Sequence, residues 1–349
     1  MTGGGRMPEG PGPRSPDARS AATGPGEFEL IARLAEIVGP PSSAGVVLGI
    51  GDDAAAWRPA PDRLQIATTD MLVEGVHFRL DWTSAHDLGW KALAVNLSDL
   101  AAMGALPGWA LVSLALPPER RELALELYRG MAELARRTGT AIVGGDTVRS
   151  SGPLVVSLAL MGEADPARLL RRDAARPGDV LVVTGVLGAS AAGLTLLNEG
   201  RHDLPQRGEP LLTAHHRPWP RLATGQLLGA HGVHCAIDIS DGLASEAQHL
   251  ADASGVAIEV DIAQLPLHPA AVALLGETRA RALALSGGED YELLFTAPEA
   301  VVAQLTRASG AETSLTMVGR VLDEGTPGSV HLLDDSRPVH LHEKGYVAF

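Results

Sequence analysis

Hydrophobic and polar positions along the chain change period repeatedly, and each change marks an element. From Glu27 onward, Phe28, Ile31, Leu34 and Ile37/Val38 recur at helical spacing and predict a short amphipathic helix. Val46 to Ile50 reads as a strand running into Gly51-Asp52-Asp53, and Leu64 to Thr69 as a second, ending at Thr68-Thr69-Asp70. A short element, Glu74 to Phe78, carries His77. Asp87 to Gly104 is expected to be helical, with Leu93, Leu97 and Leu100 on one face and Asn96 and Asp99 at i and i+3 on another. Asn96, Ser98 and Asp99 compete with the helical backbone for hydrogen bonds, a propensity cost that points either to a task or to a solvated polar face.

Trp109 to Leu116 is a further strand, closed by Pro117-Pro118, and Glu119 to Arg137 a helix with Leu123, Leu127, Met131 and Leu134 inward. Tyr128 lies one residue off that stripe, where core packing is the simplest role. Ala141 to Val143 leads as a strand into a Gly144-Gly145-Asp146-Thr147 turn, and Leu154 to Leu160 ends the first half. Gly162 to Pro166 is the expected boundary, giving domains over 27–163 and 164–349. Beyond it come a strand (Val180 to Thr184), a helix (Gly188 to Asn198) and a loop-like stretch (His202 to Pro220). A strand (Ala236 to Ile239) then carries Asp238, and Ser240-Asp241-Gly242 opens a helix over Leu243 to Ala253. Ala257 to Val260 and Leu293 to Thr296 are strands flanking the Ser286-Gly287-Gly288-Glu289-Asp290-Tyr291 turn. Helix Pro298 to Ala308, a strand over Thr316 to Val321 and an extended tail through Gly345-Tyr346 follow.

At 349 residues, 45% of them apolar, the chain is long enough for two cores. Its net charge of -14 argues against a nucleic-acid surface, which needs clustered Lys and Arg. A nucleotide remains compatible, because metal ions reverse the local field that a phosphate meets. No apolar stretch approaches the roughly 18 residues of a membrane span. The lone Cys235, in an apolar run, excludes an intrachain disulfide and suits a reducing cytoplasm. Met1 to Gly26 holds seven glycines and five prolines, lacks the apolar core of a signal peptide and reads as a disordered leader.

The candidate chemistry lies in carboxylates: Asp52-Asp53, Asp70, Asp99, Asp146, Asp238 and Asp241. Apart from Asp99, each sits beside glycine or in a Thr/Ser-rich stretch at an element end, and none of these stretches supplies an adjacent Lys or Arg. Acids gathered without cations raise one another's pKa values unless hard cations sit among them, which points to several Mg²⁺ ions and a polyphosphate. Singly, each fits a turn or a helix cap equally well, and Ser240 and Asp241 fit both readings. Two glycines before Asp146 would let the backbone approach a phosphate. Arg168, Arg171 and Arg172 form a solvated face or meet phosphates, and His215-His216 lack the spacing of a metal site.

Gly49-Ile50-Gly51-Asp52-Asp53-Ala54 fits a dinucleotide fingerprint formally, but its two aspartates would repel a pyrophosphate. There is no Gly-Lys pair for a Walker A loop, and no His-Arg-Asp, Asp-Phe-Gly or Gly-x-Ser-x-Gly motif. Six blocks together resemble thiamine-monophosphate kinase: Gly49 to Asp53, Thr68 to Phe78, Lys91 to Gly104, Gly144 to Thr147, Asp238 to Gly242 and Ser286 to Leu293. The Lys91 and Ser286 blocks are the specific ones. The acidic turns also occur across the superfamily of aminoimidazole ribonucleotide synthetase, selenophosphate synthetase and a hydrogenase-maturation dehydratase.

The resemblance implies a two-domain α/β fold of the aminoimidazole ribonucleotide synthetase type, with the N-terminal strands forming a barrel across a homodimer. It implies ATP-dependent phosphorylation of thiamine monophosphate to thiamine diphosphate. Asp53, Thr68, Thr69, Asp70, Asp99, Asp146 and Asp238 would ligate Mg²⁺, with Asp241 on a further ion. Gly145, Arg172, Ser240 and Tyr128 would contact ATP, and His77, Glu289 and Tyr346 the acceptor. The ending Gly345-Tyr346-Val347-Ala348-Phe349 departs from the more usual aromatic-x-His-Phe. Another ATP-dependent enzyme of the superfamily, or a non-catalytic protein binding metal and nucleotide, shares the aspartates; selenophosphate synthesis fits poorly because Cys235 is far from the N-terminus.

Overall fold

The structure, a computed structural model, describes residues 27–40, 45–52, 54–201, 208–309, 313–334 and 337–339. Helix α1 (Glu27–Val38) buries Leu30 and Leu34, a phase one residue away from the Ile31 expected. Strands β1 (Val46–Leu48) and β2 (Ala56–Trp57) form a small hairpin. Then come β3 (Leu64–Val73), α2 (Ala85–Ala102), β4 (Leu106–Leu116), α3 (Leu123–Thr138), β5 (Ala141–Arg149) and β6 (Val155–Ala164). They build a four-stranded sheet in the order β3-β6-β4-β5, in which β4 and β5 are parallel and the other pairs antiparallel. The parallel pair needs a crossover, and α3 supplies it.

Two expectations change here. Thr68-Thr69-Asp70 lies inside β3 and not at its end, because pairing with β6 continues to Val73. Gly144 to Thr147 is no turn: β5 runs through it alongside Leu111 to Leu114 after a bulge. A Cβ on Gly145 would lie 1.9 Å from the Val112 carbonyl oxygen, at a φ of +156°. Glycine is therefore required by the neighbouring strand, whatever it does for a ligand.

Helix α2 begins two residues before the expected Asp87, where the Ser84 hydroxyl accepts the Asp87 N–H (3.0 Å) and caps it. It has no solvated face. Lys91, Asn96 and Ser98 are buried along with its leucines, because α3, β3, β6 and the second domain enclose it. Asn96 returns one amide hydrogen to the Ala92 carbonyl (3.0 Å).

The second half comprises β7 (Val180–Thr184), α4 (Ala189–Asn198), α5 (Glu209–His216), α6 (Leu222–Ala230), β8 (Cys235–Asp238), α7 (Leu243–Ser254) and β9 (Ile258–Asp261). Next come α8 (Pro269–Leu275), α9 (Glu277–Ser286), β10 (Leu293–Ala297), α10 (Glu299–Ala308), β11 (Leu315–Val321), β12 (Val330–Asp334) and β13 (Arg337–Val339). Its seven described strands form one sheet in the order β13-β12-β9-β11-β7-β10-β8. Part of the stretch expected to be a loop is α5: Leu211 and His215, four residues apart, bury against α4, and Pro210 sits in the first turn, where its missing N–H costs nothing. The molecule is thus a mixed α/β fold of two domains, with α2 lying along their junction.

Candidate active site between the two domains

Helix α2 carries the junction. Near its C-terminal end Ser98 donates to Asp238 Oδ2 at the tip of β8 (2.7 Å), and Asp99 accepts from the Thr68 hydroxyl on β3. Asp70, two residues along β3, shares the field of Asp99. Burial pushes the Asp70 carboxyl up to about 6 and Asp238 to about 7, with Asp99 adding to both. Asp99 is itself raised by burial, against Thr68 and the Arg172 guanidinium, which both favour its charged form. A pocket of about 490 Å³ opens beside this group, lined by Thr68, Asp99 and Arg172 on its polar side and Ile66, Leu100 and Met103 on its apolar side.

The other end of the junction carries its own cation. Lys91 Nζ lies 2.8 Å from each carboxylate oxygen of Glu289, and His215 Nδ1 lies 3.2 Å from Oε2. Burial alone would raise Glu289; Lys91, then His215, hold it down to about 2. The loop bearing Glu289 is stitched to the Asp238 loop, because Glu289 N–H donates to the Ser240 carbonyl (2.7 Å) and Tyr291 N–H to that of Ile239 (2.9 Å). A Cβ on Gly288 would lie 2.3 Å from the Ser240 carbonyl oxygen, so this glycine is a packing requirement. Burial raises the Tyr291 hydroxyl well above its ordinary value, and the charges of Glu289, Asp238, Asp70 and Asp99 add to this. Asp290 and Glu292 turn away: Asp290 accepts the Gly188 N–H (2.8 Å), and Glu292 pairs with Arg221 and the Thr184 hydroxyl (2.6 Å).

The sequence-expected residues therefore divide. Asp70, Asp99, Asp238, Thr68 and Arg172 come together at one end of the junction, and Glu289 lies at the other. Asp241 is half-buried on the adjoining turn and raised by burial and by Glu246. Neither Ser240 nor Asp241 caps α7; instead buried Glu246 reaches back to the Asp241 N–H (3.1 Å) and the Ser240 hydroxyl (3.3 Å). Thr69 donates to the Leu158 carbonyl (2.7 Å), and exposed His77 accepts the Val73 N–H. Tyr128 packs in the first-domain core, 4% exposed. Asp146 does not join the cluster within one chain. It stands in register with Ser113, Ser157 and Met71 on the exposed face of the sheet, at the edge opposite β3. Asp53 and Tyr346 lie outside the described residues.

Lys91 and Tyr291 have no role of their own in the sequence reading, which weighs His215 only as a metal ligand and sets it aside. A lysine inside an apolar helical stripe is the one signal that could have been read, since a buried ammonium demands a carboxylate. No Lys or Arg adjoins Asp70, Asp99 or Asp238 in sequence, and Arg172 acts on Asp99 and Asp238 from a distant position. Hard oxygen donors that raise one another fit Mg²⁺. Among the described residues no three acidic, His or Cys side chains close on a single point, so an ion would complete its shell with phosphate oxygens and water.

Comparison with known proteins identifies the family and the fold. Residues 51–164 match the family model described as AIR synthase related protein, N-terminal domain, and residues 176–331 its C-terminal counterpart. The chain is 39% identical over 329 residues to thiamine-monophosphate kinase of Bacillus subtilis, covering 93% of this chain and 99% of that one. It is 40% identical to the Escherichia coli K12 enzyme over 326 residues, at 93% and 98% coverage. A crystal structure of thiamine-monophosphate kinase from Stenotrophomonas maltophilia superposes with a TM-score of 0.79, at 40% identity over 90% of this chain and 98% of that one. AaThiL complexed with AMPPCP and TMP gives 0.73, at 33% identity, 93% and 97% coverage. The hydrogenase maturation protein HypE, 20% identical, shares the fold (TM-score 0.71). On identity, coverage and fold together, the chain belongs to the thiamine-monophosphate kinase family.

Proposed function

We propose that this chain transfers the γ-phosphoryl group of ATP to the phosphate of thiamine monophosphate, yielding thiamine diphosphate and ADP. The observation that carries the reading is the junction itself. Asp70, Asp99 and Asp238 gather at one end with Arg172 as partial compensation, next to a pocket that Thr68, Asp99 and Arg172 line, and the other end holds a lysine-anchored Glu289, in a chain about 40% identical to kinases of that name. In that role Asp53, Thr68, Thr69, Asp70, Asp99 and Asp238 hold Mg²⁺, Asp241 takes a further ion, and Ser240 and Arg172 face ATP. Glu289 and His77, with Tyr346, hold the acceptor. Bound Mg²⁺ supplies charge neutralisation between the two polyanions.

The chain's own residues supply orientation. Thr68 and Ser98 fix the Asp99 and Asp238 carboxylates through hydroxyl donation, and Arg172 offers a guanidinium to phosphate oxygens. The acceptor is a phosphate monoester, largely deprotonated at neutral pH with a second pKa of about 6, so no side chain needs to act as general base. Transfer is in line and direct, with no phosphoenzyme.

A homodimer fits the first domain. The sheet keeps two open edges, β3 and β5, and an exposed face bearing Met71, Ser113 and Val148. Closure with a second copy into a barrel covers both, and Gly145 and Asp146 on the β5 edge then serve a site that the second copy helps complete. The two domains divide near residue 163. No helix among the described residues is long and apolar enough to cross a membrane, and buried Cys235 suits the cytoplasm.

The test is ADP release in Mg²⁺ with thiamine monophosphate, thiamine or formylglycinamidine ribonucleotide as acceptor. Release only with thiamine monophosphate is expected. Release with the ribonucleotide alone assigns the chain elsewhere in the superfamily, and ADP release with none leaves a nucleotide-binding protein. A covalent phospho-residue trapped during turnover would contradict direct transfer.

A further inference from the structure

Lys91 and Ser98 lie seven residues apart on α2, on one face and roughly 10 Å apart along its axis. Ser98 meets Asp238 of the uncompensated group, and Lys91 meets Glu289. The helix therefore sets a fixed span between two carboxylate sites of unlike character, comparable to the length of a two-ring vitamin phosphate. Building on the kinase reading, we propose that Lys91 and His215 are positioning residues that hold Glu289 to accept a hydrogen bond from the ring amino group of the acceptor, at the end remote from its phosphate.

A carboxylate cannot hold phosphate directly, and the ammonium that could do so is spent on Glu289, with Lys91 only 3% exposed. His215 Nδ1 lies 3.2 Å from Glu289 Oε2 and 3.1 Å from the Ser190 hydroxyl. A ring nitrogen facing a carboxylate must carry its proton, so the neutral ring is the Nδ1–H tautomer and donates to Glu289. A carboxylate offers about four lone-pair sites. Lys91 and His215 engage both oxygens, and the 28% of the side chain still exposed is left to a further donor. The backbone is committed to this aim: Glu289 (φ 67°) and Tyr291 (φ 49°) both occupy the left-handed region, held there by the hydrogen bonds to Ser240 and Ile239.

The experiment compares thiamine monophosphate with oxythiamine monophosphate, which carries a carbonyl in place of the ring amino group. Steady-state ADP release is measured for wild type, Lys91→Met, His215→Leu and His215→Asn, the last retaining an N–H near the Nδ1 position. Wild type should prefer the amino compound by about a hundredfold in kcat/KM, since a hydrogen-bonding site rejects a ligand that lacks the donor. Lys91→Met and His215→Leu should raise KM for thiamine monophosphate about tenfold, leave KM for ATP within about twofold, and erase most of the preference. His215→Asn should keep it. Equal use of both compounds by wild type overturns the inference, as does a proportional loss of both in the variants. Absence of ADP release from wild type with either compound is a different result, which counts against the kinase reading itself. Should Lys91→Met fail to fold, the two His215 variants carry the test.

Discussion

The junction has two ends made from the same chemical group and tuned in opposite directions. At one, Asp70 and Asp238 are pushed up to about 6 and about 7 by burial and by Asp99. At the other, Glu289 is drawn down to about 2 although burial opposes it. What differs is where the compensating charge comes from. Lys91 belongs to the chain and fixes Glu289 in place, whereas Asp99 and Asp238 have the more distant charge of Arg172 and, on the kinase reading, would be completed by a cation from solution. Removing a charge should therefore have opposite consequences for stability at the two ends.

The largest effect is expected at Asp99. On the kinase reading, Asp99→Asn should cut kcat/KM by about a thousandfold, because the charge proposed to ligate metal is lost. Its melting temperature in metal-free buffer should equal or exceed wild type, because one of several repelling charges is gone. Near-normal activity would demote Asp99 to a structural residue, and a clear drop in melting temperature would break the contrast. The opposite sign is expected for Lys91→Met, which leaves Glu289 sheltered without its ammonium. A loss of about 2 kcal/mol fits a pair that is only partly screened from water, and denaturant titration of the ligand-free protein measures it.

Metal addition sharpens the same contrast. Mg²⁺ at about a hundred times its dissociation constant should stabilise wild type by about 2.7 kcal/mol without nucleotide, seen as a rise in melting temperature. Asp238→Asn should blunt that rise, while His215→Asn, at the compensated end, should leave it intact. An equal response in all three proteins would place the ion elsewhere.

Part of this arrangement was legible in sequence, and the boundary is physical. Strong periodicity located α2, α3, β4 and β7, and an aspartate in a helix beside Asn96 and Ser98 flagged Asp99. Gly144 to Thr147 misled because Gly-Gly-Asp is turn chemistry locally; only pairing with β4 turns it into a strand, and that pairing is not a property of the segment. The partners of the acids were invisible for the same reason. Lys91 and Glu289 are 198 positions apart, and the expectation of acids without cations held only for sequence neighbours. Asp146 is the converse case, an acid whose motif groups it with Asp70 and whose register places it on the other side of the sheet.

The smallest expected effect lies in the histidines at the compensated end. Burial, then His215 and Lys91, pushes the His216 imidazole down to about 4, while Asp87 and Glu289 oppose this less strongly; Thr83 Oγ1 lies 3.4 Å from its Nδ1. The unfolded chain binds the proton near pH 6.5 and the folded one only near 4, so a neutral ring stabilises the fold. That contribution is complete above about pH 6.5 and is lost as the pH falls from there toward 4. His216→Gln removes the titration while keeping a polar side chain for Thr83, so wild type should lose about 1 kcal/mol more than the variant between pH 7 and 5, after allowance for solvent screening. Melting temperatures of the two proteins stepped across that range give the difference directly, and since both carry the same aspartates, those groups cancel. Parallel curves would mean that the ring takes up its proton without cost, and that the compensated end tolerates a further positive charge beside Lys91.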